Sequence, residues 1–281
     1  MQPYCSYLIC ATPHSGSALL CEALKNTGIA GWPEEYFKTP KNTGVPTHCQ
    51  EYSAFLENTA SSATYLEPVN GTAQASGRES RTYANYLPRI IEEATSHNGV
   101  FGAKVMWSYF DAFICNLRQI PLYRETAIYD LLPAIFPNLH YICVTRYDKV
   151  RQAVSLWKAI QIQDWQPGEP PPPDRELVFD FEMIDHLAQQ IALHEADWRQ
   201  YFSVCGMQPF LVLYEELVLS YENTILNILH HLQIPIPGSL RFPKRPLKLQ
   251  ADALSEEWVQ HYHNLKRERQ ARILVKSPKT S

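Results

Sequence analysis

The sequence predicts an α/β fold in which a central, mainly parallel sheet is flanked by helices. Three observations carry that reading. Apolar runs of strand length stand at residues 6–11, 100–107, 139–145 and 209–214. Helical patterns follow at 18–25, 149–162 and 222–232, and strands alternating with helices build parallel sheets. A content of 45% hydrophobic and 19% charged residues suits a filled core and excludes an apolar-poor disordered chain.

The first run, Ser6-Tyr7-Leu8-Ile9-Cys10-Ala11, is apolar enough for a strand covered on both faces. It ends in the turn-rich stretch Thr12-Pro13-His14-Ser15-Gly16-Ser17, and the helix at 18–25 closes near Asn26-Thr27-Gly28. Residues 38–98 lack clear periodicity and are rich in Thr, Ser, Asn and Gly. They read as an insertion with short helices over one end of the sheet, within a single domain spanning residues 1–281. The third strand follows a helix at 127–135 and leads directly into the helix at 149–162. Within 181–202, Ile184, Leu187, Ile191, His194 and Trp198 recur at spacings of three and four, which buries one helical face. Residues 166–174 are Pro-rich and read as a stiff connector, with an SH3-type ligand as the other possibility.

Charge and cysteine usage exclude several classes. With 25 Lys and Arg against 29 Asp and Glu, the net charge is −4, without the basic excess of a nucleic-acid or anionic-membrane binder. The 7 cysteines are odd in number, widely spaced and free of any C-x-x-C, so neither a zinc ribbon nor a disulfide scaffold is expected. His230-His231 and His261-x-His263 lack partners for a metal site, and Cys49 beside His48 is no nucleophile pair by adjacency alone. No run approaches the roughly 18 apolar residues of a transmembrane helix, and a cytoplasmic location is expected.

The chemistry concentrates at two strand ends. A strand, a short loop from Thr12 to Ser17 and a helix point backbone N–H groups at one spot, favourable to an anion. Gly16 permits close approach, and Ser15 and Ser17 offer hydroxyls. The loop lacks the G-x-x-x-x-G-K-[ST] pattern, and an ordinary helix cap would read the same way. Arg146 ends the third strand, and Ser155 follows nine positions later on the next helix. Ligands of open α/β sheets bind outside the carboxyl ends of strands, where an arginine forks onto phosphate. Two such sites suit a nucleotide carrying phosphate at both ends of its ribose.

The pieces Ser15-Gly16-Ser17-x-Leu19-Leu20, Gly28-x-Ala30-Gly31-x-Pro33-x-Glu35-Tyr36-Phe37, Gly102-x-Lys104-x-Met106-Trp107 and Gln152-Ala153-Val154-Ser155-x-Trp157-x-Ala159-x-Gln161 occur in that order. Gln250-Ala251-Asp252 and Glu257-Trp258-Val259 follow near the C-terminus. In order and spacing the chain resembles the PAPS-dependent sulfotransferases, where PAPS is 3′-phosphoadenosine 5′-phosphosulfate. Among them it is similar to the bacterial carbohydrate sulfotransferases of the trehalose 2-sulfotransferase type. The resemblance implies a P-loop-like sulfotransferase fold, PAPS as donor, no metal, and a sugar, glycoside or glycolipid acceptor, small or lipid-linked. It also implies a homodimer as the expected oligomer.

By that resemblance Thr12, Pro13, His14, Ser15, Gly16 and Ser17 hold the 5′-phosphosulfate, and Arg146 and Ser155 the 3′-phosphate. Tyr214 touches the adenine, or else merely caps the core at a strand end, and Gln250 closes over the nucleotide. Trp32, Pro33, Tyr36, Phe37 and Lys104 fall on the acceptor side. Lys104 neutralises charge near the phosphosulfate, with an exposed strand-end lysine as the plainer reading. Glu35 is the implied general base, removing the proton of a hydroxyl that is otherwise a poor nucleophile. Pro33, Tyr36 and Phe37 are expected to desolvate it. From the residues alone, Glu34 and Glu35 are indistinguishable.

The chain departs from the family in places. It has His14 where the family commonly has Arg, Ala18 where it has Thr, Trp32 where the trehalose-acting type has an acidic residue, and Leu249 in place of a basic one. An indole offers a platform to a sugar face or a lipid but accepts no hydrogen bond. Two other classes stay open: a nucleotide-dependent phosphotransferase, against which the missing Walker lysine speaks, and a non-catalytic nucleotide-binding relative, suggested by His14 and Ala18.

Overall fold

A computed structural model of the chain describes residues 2–38, 83–162, 177–242 and 253–276. Its centre is a four-stranded sheet of β1 (Cys5–Ala11), β2 (Val100–Met106), β3 (Leu139–Thr145) and β4 (Phe210–Leu213), in the order β2-β1-β3-β4 and parallel throughout. The expected α/β architecture is therefore present. Cys10 lies opposite Val105 on one side and Cys143 on the other, so β1 is central. All seven of its residues are buried, which is why its sequence runs apolar without alternation.

The described helices are α1 (Ser17–Asn26), α2 (Tyr83–Ala94), α3 (Phe110–Arg118), α4 (Ile128–Ile135), α5 (Lys149–Ile162), α6 (Phe181–Val204), α7 (Tyr214–Leu219), α8 (Tyr221–His231) and α9 (Ala253–Lys276). They divide over the two faces of the sheet. Leu8, Cys10, Phe101, Ala103 and Val105 pack with Leu87 and Ile90 of α2, Phe113 and Leu117 of α3, Leu131 and Leu132 of α4 and Trp198 of α6. Tyr7, Ile9, Ala11, Ile142, Val144 and Val212 point the other way, onto Leu20 and Leu24 of α1 and Ile225, Ile228 and Leu229 of α8. A smaller core joins α5, α6 and α9 through Val154, Ile184, Ile191, Trp258 and Tyr262.

Several boundaries differ from expectation. Helix α2 falls inside the stretch read as an insertion, yet it packs on the main core; the rest of that stretch, 39–82, lies outside the described residues, as do the Pro-rich run and Gln250. Trp107 leaves the strand for a 3₁₀ turn (Trp107–Tyr109). Tyr214 is not the last residue of a strand but the first of α7, which turns its side chain off the sheet and toward the β1 loop. His231 packs beside the rings of His140 and Phe210, and His261 stacks on Phe179. Among the described residues no helix is long and apolar enough to cross a membrane.

Candidate functional site

The strand order fixes where a ligand can lie. From β1 the chain crosses toward β2, whereas from β3 it crosses toward β4 on the opposite side. The loops leaving β1 and β3 therefore diverge and open a crevice at their carboxyl ends, the switch point at which open α/β sheets bind ligands. Both predicted anion sites are there.

On the β1 side the Ser15 N–H donates to the Thr12 carbonyl at 3.3 Å, closing a tight turn. His14 sits at φ 56° and Gly16 at φ 93°, both left-handed. Gly16 is also pressed by Tyr214, since a Cβ at this position would come within 2.4 Å of the Tyr214 ring. No side chain caps the start of α1, so its N-terminal dipole faces the crevice. Ser15 is fully buried and its hydroxyl has no hydrogen-bond partner. An orphaned buried hydroxyl is costly, and a ligand oxygen at the helix start would satisfy it. The loop is anchored from below, where the Trp198 indole N–H donates to the Ala11 carbonyl at 3.1 Å.

On the β3 side Arg146 follows the strand directly, its side chain only 11% exposed. Its Nε is buried without a hydrogen-bond partner, and the guanidinium lies 4.6 Å from the Tyr214 ring centroid. Burial pulls its pKa down from the usual arginine value, though a guanidinium stays charged at any working pH. The Glu215 carboxylate stands 4.0 Å away and accepts from the Tyr147 N–H, a partial counter-charge that stops short of a hydrogen bond to Arg146 Nε. Lys149 donates to the Arg146 carbonyl and pairs with Glu195 at 2.6 Å, which fixes the turn carrying the arginine. Ser155 Oγ is 2.9 Å from His14 Nδ1, so the two anion sites touch. A buried, charged arginine whose Nε lacks a hydrogen bond, at the strand end next to the one that carries the orphaned Ser15 hydroxyl, fits a ligand with two phosphate groups.

A third cluster lies at the end of β2. The Lys104 N–H donates to the Glu34 carbonyl at 2.9 Å, which lays the segment after α1 along the free edge of β2. That register sends the two glutamates different ways. Glu34 pairs with Lys25 on the surface, its side chain 52% exposed. Glu35 is 28% exposed, and its Oε1 is 2.7 Å from Lys104 Nζ. Lys104 is itself buried, so the reading of it as an exposed strand-end lysine is corrected. The Tyr109 hydroxyl, from the 3₁₀ turn after β2, stands 3.5 Å from Glu35 Oε2 and 3.3 Å from the Lys104 carbonyl.

The neighbours of Glu35 divide between surface and core. Trp32 is 46% exposed, and its carbonyl accepts from the Tyr36 hydroxyl at 2.5 Å. Pro33 is buried beside them. Phe37, placed on the acceptor side from sequence, is instead a core residue. It is 2% exposed and stacks on Phe113 at 4.3 Å between centroids. Its ring also meets Phe136, tilted at 5.9 Å, so its apolar area is committed to aromatic packing in the core.

The model of the Stf0 sulphotransferase family matches residues 6–265. The chain belongs to the Stf0 sulphotransferase family. A trehalose 2-sulfotransferase of Mycobacterium tuberculosis is 29% identical over 259 residues, covering 91% of this Stf0 chain and 93% of the relative. That of Mycolicibacterium smegmatis is 28% identical over 260 residues, covering 92% and 94%. A crystal structure of a sulfotransferase from Alicyclobacillus acidocaldarius aligns at 13% identity with a TM-score of 0.47, over 94% of this chain and 96% of the other.

The structure thus brings together Thr12, Pro13, His14, Ser15, Gly16, Ser17, Arg146, Ser155 and Tyr214 at one crevice. Glu35, Lys104, Trp32 and Tyr36 gather at the adjoining end of β2. Sequence reasoning missed Tyr109 and Glu215, and it quoted Gln152 only as part of a matching piece, without a role. Tyr109 lies two residues after Trp107 and Glu215 directly after Tyr214, both of which had drawn attention, but nothing local marks their partners. Gln152 is fully buried on α5, an unusual place for an amide.

Proposed function

We propose that this chain transfers a sulfuryl group from PAPS to a hydroxyl of a carbohydrate, glycoside or glycolipid. The observation that carries the reading is the pair of buried donors without a hydrogen bond at adjacent strand ends, Ser15 Oγ and Arg146 Nε. PAPS, when bound, supplies a sulfuryl group activated by its phosphate anhydride. Ser15, Gly16, Ser17 and the start of α1 hold the 5′ end; Arg146 and Ser155 hold the 3′-phosphate, with the adenine beside Tyr214. The carbohydrate acceptor is suggested by the trehalose 2-sulfotransferase relatives, and exposed Trp32 gives it a flat apolar platform.

Glu35 is the proposed base. Lys104 holds Oε1, and Oε2, which accepts only a long 3.5 Å contact from the Tyr109 hydroxyl, is the oxygen that takes the proton of the acceptor hydroxyl. A positioned carboxylate contributes about 10²–10⁴-fold to such a step. Lys104 keeps the charge of the pair balanced within a half-buried site, and the fixed dipole of α1 stabilises charge at the departing phosphate. Most of the remaining acceleration comes from holding donor and acceptor in line.

Incubation with radiolabelled PAPS and a panel of sugars headed by trehalose tests the reading. Label should move to at least one carbohydrate. Tight binding of adenosine 3′,5′-bisphosphate with no transfer to any carbohydrate would favour a non-catalytic relative.

A further inference from the structure

Gln152 stands outside every role assigned so far. It is 0% exposed on the first turn of α5, and its side-chain amide reaches into the β1 loop. Nε2 donates to the Pro13 carbonyl at 2.6 Å and to Thr12 Oγ1 at 3.0 Å.

The turn it grips has a particular geometry. The Thr12–Ser15 hydrogen bond makes Pro13 and His14 the two central residues of a β-turn. Proline cannot adopt positive φ, and His14 sits at φ 56°, so the turn is type II. That form asks for glycine at its third position. Histidine there favours type I, which differs by a flip of the central Pro13–His14 peptide. Because a trans peptide points its C=O and N–H in opposite directions, whichever group holds the Pro13 carbonyl also aims the His14 N–H. A residue kept in a sparsely populated conformation needs its surroundings to hold it.

We propose that Gln152 is a positioning residue that latches the Thr12–Ser15 turn in its type II form and thereby presents the His14 N–H to the anion cradle. Its grip on the Pro13 carbonyl turns that N–H away from α5. The same helix carries Ser155, so one element sets the shape of the 5′ loop and carries a residue of the 3′ site. This inference rests on the reading that the loop holds the 5′ end of the nucleotide.

The test compares adenosine 3′,5′-bisphosphate with adenosine 3′-monophosphate, which lacks the group that the loop would bind. Wild type should bind the bisphosphate more tightly; if it binds neither, the underlying reading fails rather than the latch. In Gln152→Met, which keeps length but not the donor, bisphosphate affinity should fall about tenfold while 3′-monophosphate affinity holds. The loss should shrink to about twofold in a His14→Gly background, where positive φ carries no penalty. Gln152→Glu, near-isosteric and unable to donate when ionised, should show the same selective loss. Equal losses for both ligands, no loss, or a penalty unchanged by His14→Gly would overturn the latch. Failure of both Gln152 variants to fold would make it a fold determinant and overturn the positioning role as well.

Discussion

Lys104 Nζ lies 2.7 Å from Glu35 Oε1, and this ion pair joins the end of β2 to the segment that follows α1. It separates Glu35 from its neighbour Glu34, whose partner is Lys25 at the surface. Glu35→Gln is expected to lower the rate of sulfuryl transfer at least about 10²-fold while leaving nucleotide affinity within about twofold. Glu34→Gln should change the rate little, because an exposed ion pair contributes at most about 1 kcal/mol. Steady-state kinetics alongside calorimetric titration check both. Equal rate losses in the two variants would remove Glu35 from its role.

How much of this was readable from sequence varied with how local each signal was. The strands at β1 and β3 and helix α5 were legible because buried parallel strands are continuously apolar and helices carry their own period. Helix α3 was not recognised although Phe110, Phe113, Ile114 and Leu117 repeat at helical spacing; it follows β2 through a single 3₁₀ turn, with no loop to announce it. Helix α9 was missed for the opposite reason, since the charged run from Lys266 to Arg272 hides the few residues it buries. The choice of Glu35 over Glu34 needed a resemblance, because it depends on one backbone hydrogen bond across to β2. Phe37 was misplaced because an aromatic beside a candidate base looks the same in sequence whether it faces acceptor or core.

Gly16 is held twice, by its left-handed φ and by the Tyr214 ring. Gly16→Ala should therefore cost more than the roughly 1–2 kcal/mol of left-handed strain alone and should weaken nucleotide binding at least about tenfold. Gly206 supplies the control. It has φ 64° with open space around its Cβ position, so Gly206→Ala should show the strain without the loss of binding. Thermal melts and titration of both variants separate the two effects. Unchanged binding in Gly16→Ala would mean that the loop is not the cradle.

Asp185 ties α6 to α9. Its Oδ1 accepts from Lys266 Nζ at 2.6 Å and from the Tyr262 hydroxyl, and its Oδ2 from Gln189 at 2.8 Å. Burial would raise its pKa, but the hydrogen bonds from Lys266 and Tyr262 outweigh it and hold the carboxyl below its usual range. A carboxylate whose pKa is lowered on folding stabilises the fold above its unfolded pKa and loses that contribution as pH falls through the folded value. Asp185→Asn should therefore be less stable than wild type near neutral pH, with the gap closing below about pH 4. Denaturant melts across that range check the sign; a gap that widens on acidification would contradict it.

On the proposed function, the crevice between β1 and β3 recognises a nucleotide phosphorylated at both ends of its ribose. Isothermal titration with adenosine 3′,5′-bisphosphate, with 5′-AMP as control, tests it most directly. Wild type should bind the bisphosphate at least about tenfold more tightly than 5′-AMP, and Arg146→Ala should abolish the difference. Equal affinity for the two nucleotides, or a preference that survives Arg146→Ala, would contradict the account.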